Sequence, residues 1–347
     1  MSDTVFAARA PGRVNLIGEH TDYNGGWVLP AALSVGLEVE LKPRSDDTAS
    51  IATDGFDGPV TRSLDEAACD HWSDTALGAL REARSMGLLQ GGDLSVHSTI
   101  PAGAGLSSSA AISVAILKAA RDAAGAAFSD TEIAVAARRV ETDYIGVPVG
   151  IMDQMAVAIA RPGQAIALDT QSLDYTVVKL PAGYSVEIIH SGVVRQLSEG
   201  RYRIRKEECD AAREAFGQDA LCLLDPQAIE SKPDLDDTIR RRARHCATEH
   251  RRVLAAVDAL AAGDAPALGV LMQDSHVSMR DDFAMSVPAI DALVADAMEL
   301  GATGARLTGG GFGGCIVALV PEEHRADWLA KLLKRQADAW FVDRIAG

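Results

Sequence analysis

Pro101 to Ala111 reads Pro-Ala-Gly-Ala-Gly-Leu-Ser-Ser-Ser-Ala-Ala, a glycine turn that runs straight into a helix whose first turn is made of hydroxyls. Gly103 and Gly105 allow close backbone approach to a ligand, and the amides from Leu106 through Ser107 to Ala110 sit at the positive end of the coming helix dipole. A phosphate fits that cradle. Read alone, the segment equally suits an N-capped core helix, because the following Val114, Ile116 and Leu117 make a buried stripe. Three successive serines exceed one cap's need, since helix interiors do not favour serine. No lysine follows the glycines, so the loop is not a Walker A sequence. Charge on a bound phosphate then falls to amides, a cation and basic residues from elsewhere.

The chain of 347 residues carries 33 Lys+Arg against 49 Asp+Glu, a formal charge of −16. That balance excludes a broad nucleic-acid or anionic-membrane surface and gives an anionic ligand a need for metal help. With 48% hydrophobic and 24% charged residues, the composition is that of an ordinary globular protein of about two domains. Residues 1–10 have no apolar core behind a basic start, so they are not read as a secretory signal, and no stretch reaches bilayer length. Cys69, Cys209, Cys222, Cys246 and Cys315 are scattered without Cys-x-x-Cys spacing, which suits a reducing cytoplasm and gives no reason to expect redox control.

Alternation and turn residues predict strands at 5–9, 35–41, 94–98 and 165–169, and helices at 107–124 and 131–144. Ser129 or Asp130 would cap the second helix, and Gly146 with Pro148 would end it. Past Pro181 and Gly183 the pattern changes to a strand at 185–190 and helices near 200–216, 237–262 and 266–280. The remainder reads as helix 287–300, strand 305–308, strand 315–320, helix 322–336 and strand 339–342, an order that suits a split βαβ, ferredoxin-like module. The expected fold class is therefore α+β, in two domains at 1–181 and 182–347.

Three more segments hold polar groups that a core would not choose. Gly12 to Gly26, Gly-Arg-Val-Asn-Leu-Ile-Gly-Glu-His-Thr-Asp-Tyr-Asn-Gly-Gly, ends an apolar strand in Glu19, His20 and Asp22. Carboxylates beside an imidazole suit a polyol, whose hydroxyls both donate and accept. Such letters also describe a solvated loop, but Val14, Leu16, Ile17 and Trp27 around them favour a cleft. Gly150 to Ala158 places Asp153 between Met152 and Met155, either as a helix N-terminal anion or as the partly desolvated carboxylate of a general base. Thr308 to Cys315 packs five glycines around Phe312, more than a hairpin turn requires.

Together these four motifs resemble the GHMP small-molecule kinases, and within them the galactose-phosphorylating branch. The likeness runs in consistent order from about Ala8 to Val320. It implies a two-domain GHMP-kinase fold with the active site in the cleft between the domains, ATP and Mg²⁺ as cofactors, and galactose as the acceptor at its C1 hydroxyl. Asp153 matches the catalytic base and Arg13 the arginine beside it and the transferred phosphoryl. Glu19, His20, Asp22, Gly150 and Tyr202 match sugar ligands. Glu141 matches the magnesium-binding glutamate, with Ser108 or Ser109 as its partner. Trp72 falls where the family has an aromatic near adenine; Gly103, Gly105, Leu106, Ser107, Ser108, Ser109, Ala110 and Gly310 fall in the nucleotide-binding loops.

The basic residues of 201–206 and 240–244 read as solvated helix faces. His190 departs from the asparagine or aspartate common before Ser-Gly-Val in that branch, and touches sugar preference. Trp27 stands for a more usual phenylalanine, and the tail after Phe341 is short for the family. The competing readings are a kinase for N-acetylgalactosamine, arabinose or mevalonate, and a silent galactose sensor. The intact loop at Ser107 to Ala111 speaks against the sensor, and Glu19-His20-Thr21-Asp22 against mevalonate. A monomer or weak homodimer without nucleic-acid or membrane partners is expected.

Overall fold

The computed structural model describes residues 4–193 and 198–347. In chain order the first elements are β1 (Phe6–Asn15), β2 (Trp27–Val28), β3 (Pro30–Arg44), β4 (Thr48–Thr53), β5 (Val60–Ser63), α1 (Asp74–Ser85), β6 (Gly91–Ser98), α2 (Ser108–Ala124), α3 (Asp130–Arg139) and α4 (Met152–Ile159). There follow β7 (Ala165–Asp169), β8 (Tyr175–Val178), β9 (Tyr184–His190), α5 (Ser198–Phe216), α6 (Pro226–Ser231), α7 (Asp237–Ala262), α8 (Ala265–Asp281), α9 (Pro288–Glu299), β10 (Gly304–Leu307), β11 (Cys315–Pro321), α10 (Arg325–Arg335) and β12 (Trp340–Ala346). A wide π turn at Val140–Ile145 follows α3 directly.

The described residues form two compact units. One gathers the chain up to Arg13, Ser34–Ile100 and Ser107–Arg161; the other gathers Val14–Leu33, Pro101–Leu106 and Pro162–Gly347. In the first, β3 is the clearest case of pattern dictating structure. Leu37, Val39 and Leu41 are buried while Glu38 and Glu40 alternate outward, the two-residue period of a half-buried strand. β3 pairs antiparallel with β6, β6 runs parallel to β4, and β4 pairs antiparallel with β5. The apolar residues of α2 pack with those of α1, α3 and α4, so that Val114, Ile116 and Leu117 are fully buried. Ser129 caps α3 in a reciprocal box: its hydroxyl accepts from the Glu132 amide at 3.2 Å and its own amide donates to Glu132 at 2.8 Å.

In the second unit the strands β10-β11-β9-β12 make an antiparallel sheet. With helices between β9 and β10, and α10 between β11 and β12, this is the expected ferredoxin-like connectivity. Ile189, Ile316, Ala318 and Val320 from the strands join Leu293, Trp328 and Leu332 from the helices in one core. Trp328 is buried without loss, because its indole N–H donates to the Ala297 carbonyl at 3.0 Å.

The structure departs from the expected elements in several places; α1 and β8 were not expected, and the helix read over 322–336 is α-helical only over Arg325–Arg335. The helix read over 131–144 stops being α-helical at Arg139 and continues as the π turn. Strands β4 and β5 were not expected from sequence, because Thr-Ala-Ser-Ile-Ala-Thr and Val-Thr-Arg-Ser carry too few apolar residues to show a period; their pairing comes from β6 and from each other. Replacing the buried indole, Trp328→Ala, should cost about 3–5 kcal/mol, seen as a lower denaturant midpoint at unchanged slope.

Candidate active site

Within the first unit, Arg13 near the end of β1 and Asp153 in the first turn of α4 meet as a guanidinium fork on a carboxylate. Arg13 Nε donates to Asp153 Oδ1 at 2.6 Å and Nη2 donates to Oδ2 at 2.5 Å. Ser107 donates its hydroxyl to the same Oδ2 at 2.6 Å. Arg13's side chain is 7% exposed and that of Asp153 30%, so the acid keeps an open face while its orientation is fixed from behind. Ser107 adopts φ 63° and makes no capping bond to α2, its hydroxyl being committed to Asp153. The Ser107 side chain therefore leaves the first-turn amides of α2, where Ser108, Ser109 and Ala110 lie, uncapped. Gly103 and Gly105 precede it with φ of 70° and 74°, and Leu106 between them and the helix is buried.

Glu141 lies in the π turn. Burial, then the negative charge of Asp153, push its carboxyl up to about 7, against hydrogen bonds from Gln154 and Ser109 and the attraction of Arg13. Gln154 Nε2 donates to Glu141 Oε1 at 2.8 Å. Ser109 thus meets Glu141, whereas Ser108 is exposed at the helix start. A cation beside Glu141 would relieve the cost of charging a buried carboxyl near another. Among the described residues no group of three or more His, Cys, Asp or Glu forms a closed metal cage. One carboxylate and one hydroxyl with open positions fit Mg²⁺, which keeps most of its ligands as water and phosphate oxygen. Trp72, half-buried before α1, stacks flat on Phe56 with ring centroids 4.6 Å apart. Gly150 is buried just ahead of α4.

In the second unit, the Glu19-His20-Thr21-Asp22 segment is built over a buried ionic cluster. Arg306, fully buried on β10, donates Nη2 to Glu19 Oε2 and lies 3.7 Å from Glu249 Oε1. Glu19 Oε1 accepts from the Gly309 amide at 2.9 Å, and Glu249 Oε1 accepts from the Gly18 amide at 2.9 Å and from Ser275 at 2.6 Å. Burial raises both carboxyls; for Glu249 the cations Arg252 and Arg306 more than offset it and hold the group at about 2, while Glu19 stays above its usual range. Glu19 is thus 2% exposed with both oxygens engaged inside the protein. Thr308 donates its hydroxyl to the Asn15 carbonyl at 2.9 Å and accepts from the Asn15 amide at 3.0 Å, which fastens the third glycine motif, including the half-buried Gly310, to the end of β1.

Above this cluster sits an aromatic group. His20 Nδ1 is 2.7 Å from the Tyr23 hydroxyl, and the His20 ring lies 5.3 Å from Tyr202 and 4.5 Å from Phe283. Asp22 is half-buried in the short turn that Tyr23 and Asn24 complete. His245 Nε2 donates to the Glu19 carbonyl at 3.1 Å, and burial lowers its pKa to about 4. Sequence reading brought out Glu19, His20, Asp22 and Tyr202 but not Arg306, Glu249, His245, Phe283 or Gln154. For Arg306 the signal was present, a lone charge between Ala305 and Leu307 in an apolar strand. Glu249 and His245 lie in a helix so rich in charge that nothing distinguishes them.

Comparison with known proteins places this arrangement. The galactokinase galactose-binding signature matches residues 2–43, the GHMP kinase N-terminal domain residues 74–161 and the GHMP kinase C-terminal domain residues 256–337. The chain belongs to the GHMP kinase family, and is accordingly a phosphotransferase acting on a small-molecule substrate. Within the family its likeness is to the galactokinases. It is 40% identical to a galactokinase of Glaesserella parasuis serovar 5 (strain SH0165) over 344 residues, 95% of this chain and 88% of that protein. The crystal structure of Lactococcus lactis galactokinase complexed with galactose superposes with a TM-score of 0.93 at 29% identity, over 99% of this chain and 95% of that one. Methanococcus jannaschii mevalonate kinase shares the fold, with a TM-score of 0.71 at 18% identity over the whole of both chains. Among the described residues no helix is long and apolar enough to cross a membrane.

Removing the central cation, Arg306→Met, leaves Glu19 and Glu249 buried against each other and should cost about 3–5 kcal/mol in urea unfolding. The histidines add a pH signature. His245 and His276 are each lowered by burial to about 4. The unfolded chain therefore takes up protons below about pH 6.5 that the folded chain refuses. The two histidines should together remove stability as pH falls from about 6.5 toward 4, against a smaller opposite gain from Glu141, whose carboxyl binds its proton near 7 in the folded chain; a denaturant midpoint that rises across this window contradicts the neutral, buried assignment of the histidines.

Proposed function

We propose that this protein transfers the γ-phosphoryl group of ATP to the anomeric C1 hydroxyl of galactose, giving galactose 1-phosphate and ADP. The observation that carries the reading is Asp153, a carboxylate held by the Arg13 fork and Ser107 with one side open. Asp153 accepts the hydroxyl proton as the sugar oxygen attacks phosphorus. Arg13 keeps Asp153 turned toward its substrate, and its charge offsets that of the transferring group, a contribution typically worth ~2.7–4 kcal/mol. The amides of Ser108, Ser109 and Ala110, with Gly103, Gly105 and Gly310, bind phosphate, and Trp72 faces adenine. Glu141 and Ser109 hold Mg²⁺, which when bound neutralises the phosphate oxygens. His20, Asp22, Gly150 and Tyr202 contact sugar hydroxyls, while Glu19 sets the floor beneath them. The domain division at 181/182 belongs to the same proposal.

The test is ADP release with Mg-ATP against galactose, glucose, N-acetylgalactosamine, arabinose and mevalonate, with the phosphorylated position assigned by phosphorus NMR. Galactose should be the best acceptor and give a 1-phosphate; better turnover on another acceptor overturns the substrate, and binding without turnover overturns the enzyme. Asp153→Asn should lower kcat by about 10²–10⁴ with galactose binding retained. Glu141→Gln should raise the Mg²⁺ concentration needed for half-maximal rate, and turnover that persists in EDTA removes the metal from the scheme.

A further inference from the structure

Asp153 and Gln154 are neighbours in the first turn of α4, and at about 100° per residue their side chains leave the helix on different sides. Asp153 meets Arg13 and Ser107. Gln154 meets Glu141, to whose Oε1 its Nε2 donates at 2.8 Å. Gln154 is 1% exposed, so neither end of its amide can rely on solvent.

Only one of those ends is engaged. An ionised carboxylate accepts hydrogen bonds and donates none, so Glu141 charged beside a cation takes the NH2 group of Gln154 and leaves its carbonyl on the far side. That carbonyl oxygen, Oε1, is buried and accepts from no group of the protein. A buried acceptor without a donor is costly, and an apolar side chain of similar volume would fill the place without that cost. The position therefore calls for a donor that arrives with a ligand. Because Oε1 and Nε2 share one carbon, the donor must arrive within an amide's width of the Glu141 carboxylate. Mg²⁺ is an ion that brings donors with it, since it dehydrates reluctantly and keeps several of its waters.

We propose that Gln154 is a positioning residue for the cation, its NH2 group orienting the Glu141 carboxylate and its carbonyl accepting from a water in the hydration shell of Mg²⁺. Gln154 touches neither phosphate nor sugar in this scheme; it acts through Glu141 and that water. Supporting groups of this kind typically change metal affinity by about 10–100-fold. An acceptor for a retained water also favours Mg²⁺ over Ca²⁺, which takes more of its ligands directly and in a looser geometry. The proposal rests on the placing of Mg²⁺ at Glu141 in the function proposed above.

The test reads metal binding rather than turnover. Mn²⁺ is titrated into the full chain in the presence of ADP, the free ion is followed by electron paramagnetic resonance, and Mg²⁺ and Ca²⁺ are each competed against it. Gln154→Leu should weaken Mg²⁺ about 10–100-fold and Ca²⁺ several-fold less. Equal weakening of both ions overturns the proposal, because a Glu141 that had merely loosened would lose the two alike; an unchanged Mg²⁺ affinity overturns it as well. Gln154→Met follows the shape of glutamine without its amide, and takes the place of the leucine variant if the denaturant midpoint in EDTA shows that one to be unfolded. Glu141→Gln separates the inference from the reading beneath it. If that variant binds Mn²⁺ as before, the metal is not held at Glu141, and the site and the proposal fall together. If Glu141→Gln weakens Mn²⁺ while Gln154→Leu leaves all three ions unaffected, the metal site stands and the role of Gln154 falls.

Discussion

One guanidinium is the point on which the second unit is organised. Arg306 lies buried between the carboxylates of Glu19 and Glu249, and neither acid is spent on the arginine alone. Glu249 also receives the Gly18 amide, and Glu19 the Gly309 amide. Two backbone turns nearly three hundred residues apart are thereby registered on a single cation. An ion cluster this deep is a poor source of net stability, because desolvation consumes most of the attraction. Its yield is position: the Glu19–Asp22 segment and the last glycine motif have one arrangement in which the three charges of this cluster answer one another.

The glycine motif then closes against β9. Gly314 donates its amide to the Val193 carbonyl at 3.0 Å, and its own carbonyl accepts from the Ser191 amide at 2.9 Å. A Cβ on Gly313 would lie 2.8 Å from the Val193 carbonyl oxygen, and one on Gly311 2.6 Å from that of Met285. Both glycines also hold positive φ, so backbone contact and conformation independently exclude a side chain there. The unusual His190 takes part in the same corner, accepting from the Gly192 amide at 3.0 Å and stacking on Trp340 with centroids 4.8 Å apart.

Much of this was legible in the residues, for reasons that differ from place to place. Strongly patterned elements such as β3 and α2 announce themselves by period, and the ferredoxin-like half by the order of its strands and helices. The residues proposed as catalytic were legible because they stand in apolar surroundings: Asp153 between methionines, Arg13 before a buried valine. Arg306 obeys the same rule and was overlooked, since a residue beside a motif attracts less notice than one inside it. The pairing of Ser107 with Asp153 was hidden likewise, because the serine's place at a helix start already supplied it with an ordinary role as a cap.

The π turn at Val140–Ile145 has a consequence for how this protein tolerates genetic change. An α-helix advances about 100° per residue, so removing one residue from the wide turn and restoring regular winding would swing Glu141 away from Ser109 and Gln154. No substitution reproduces that displacement, and none repairs it. The count of residues between Arg139 and Gly146 is itself a coded property of the site. An in-frame loss of one codon, which leaves every functional side chain present, would erase what the turn provides.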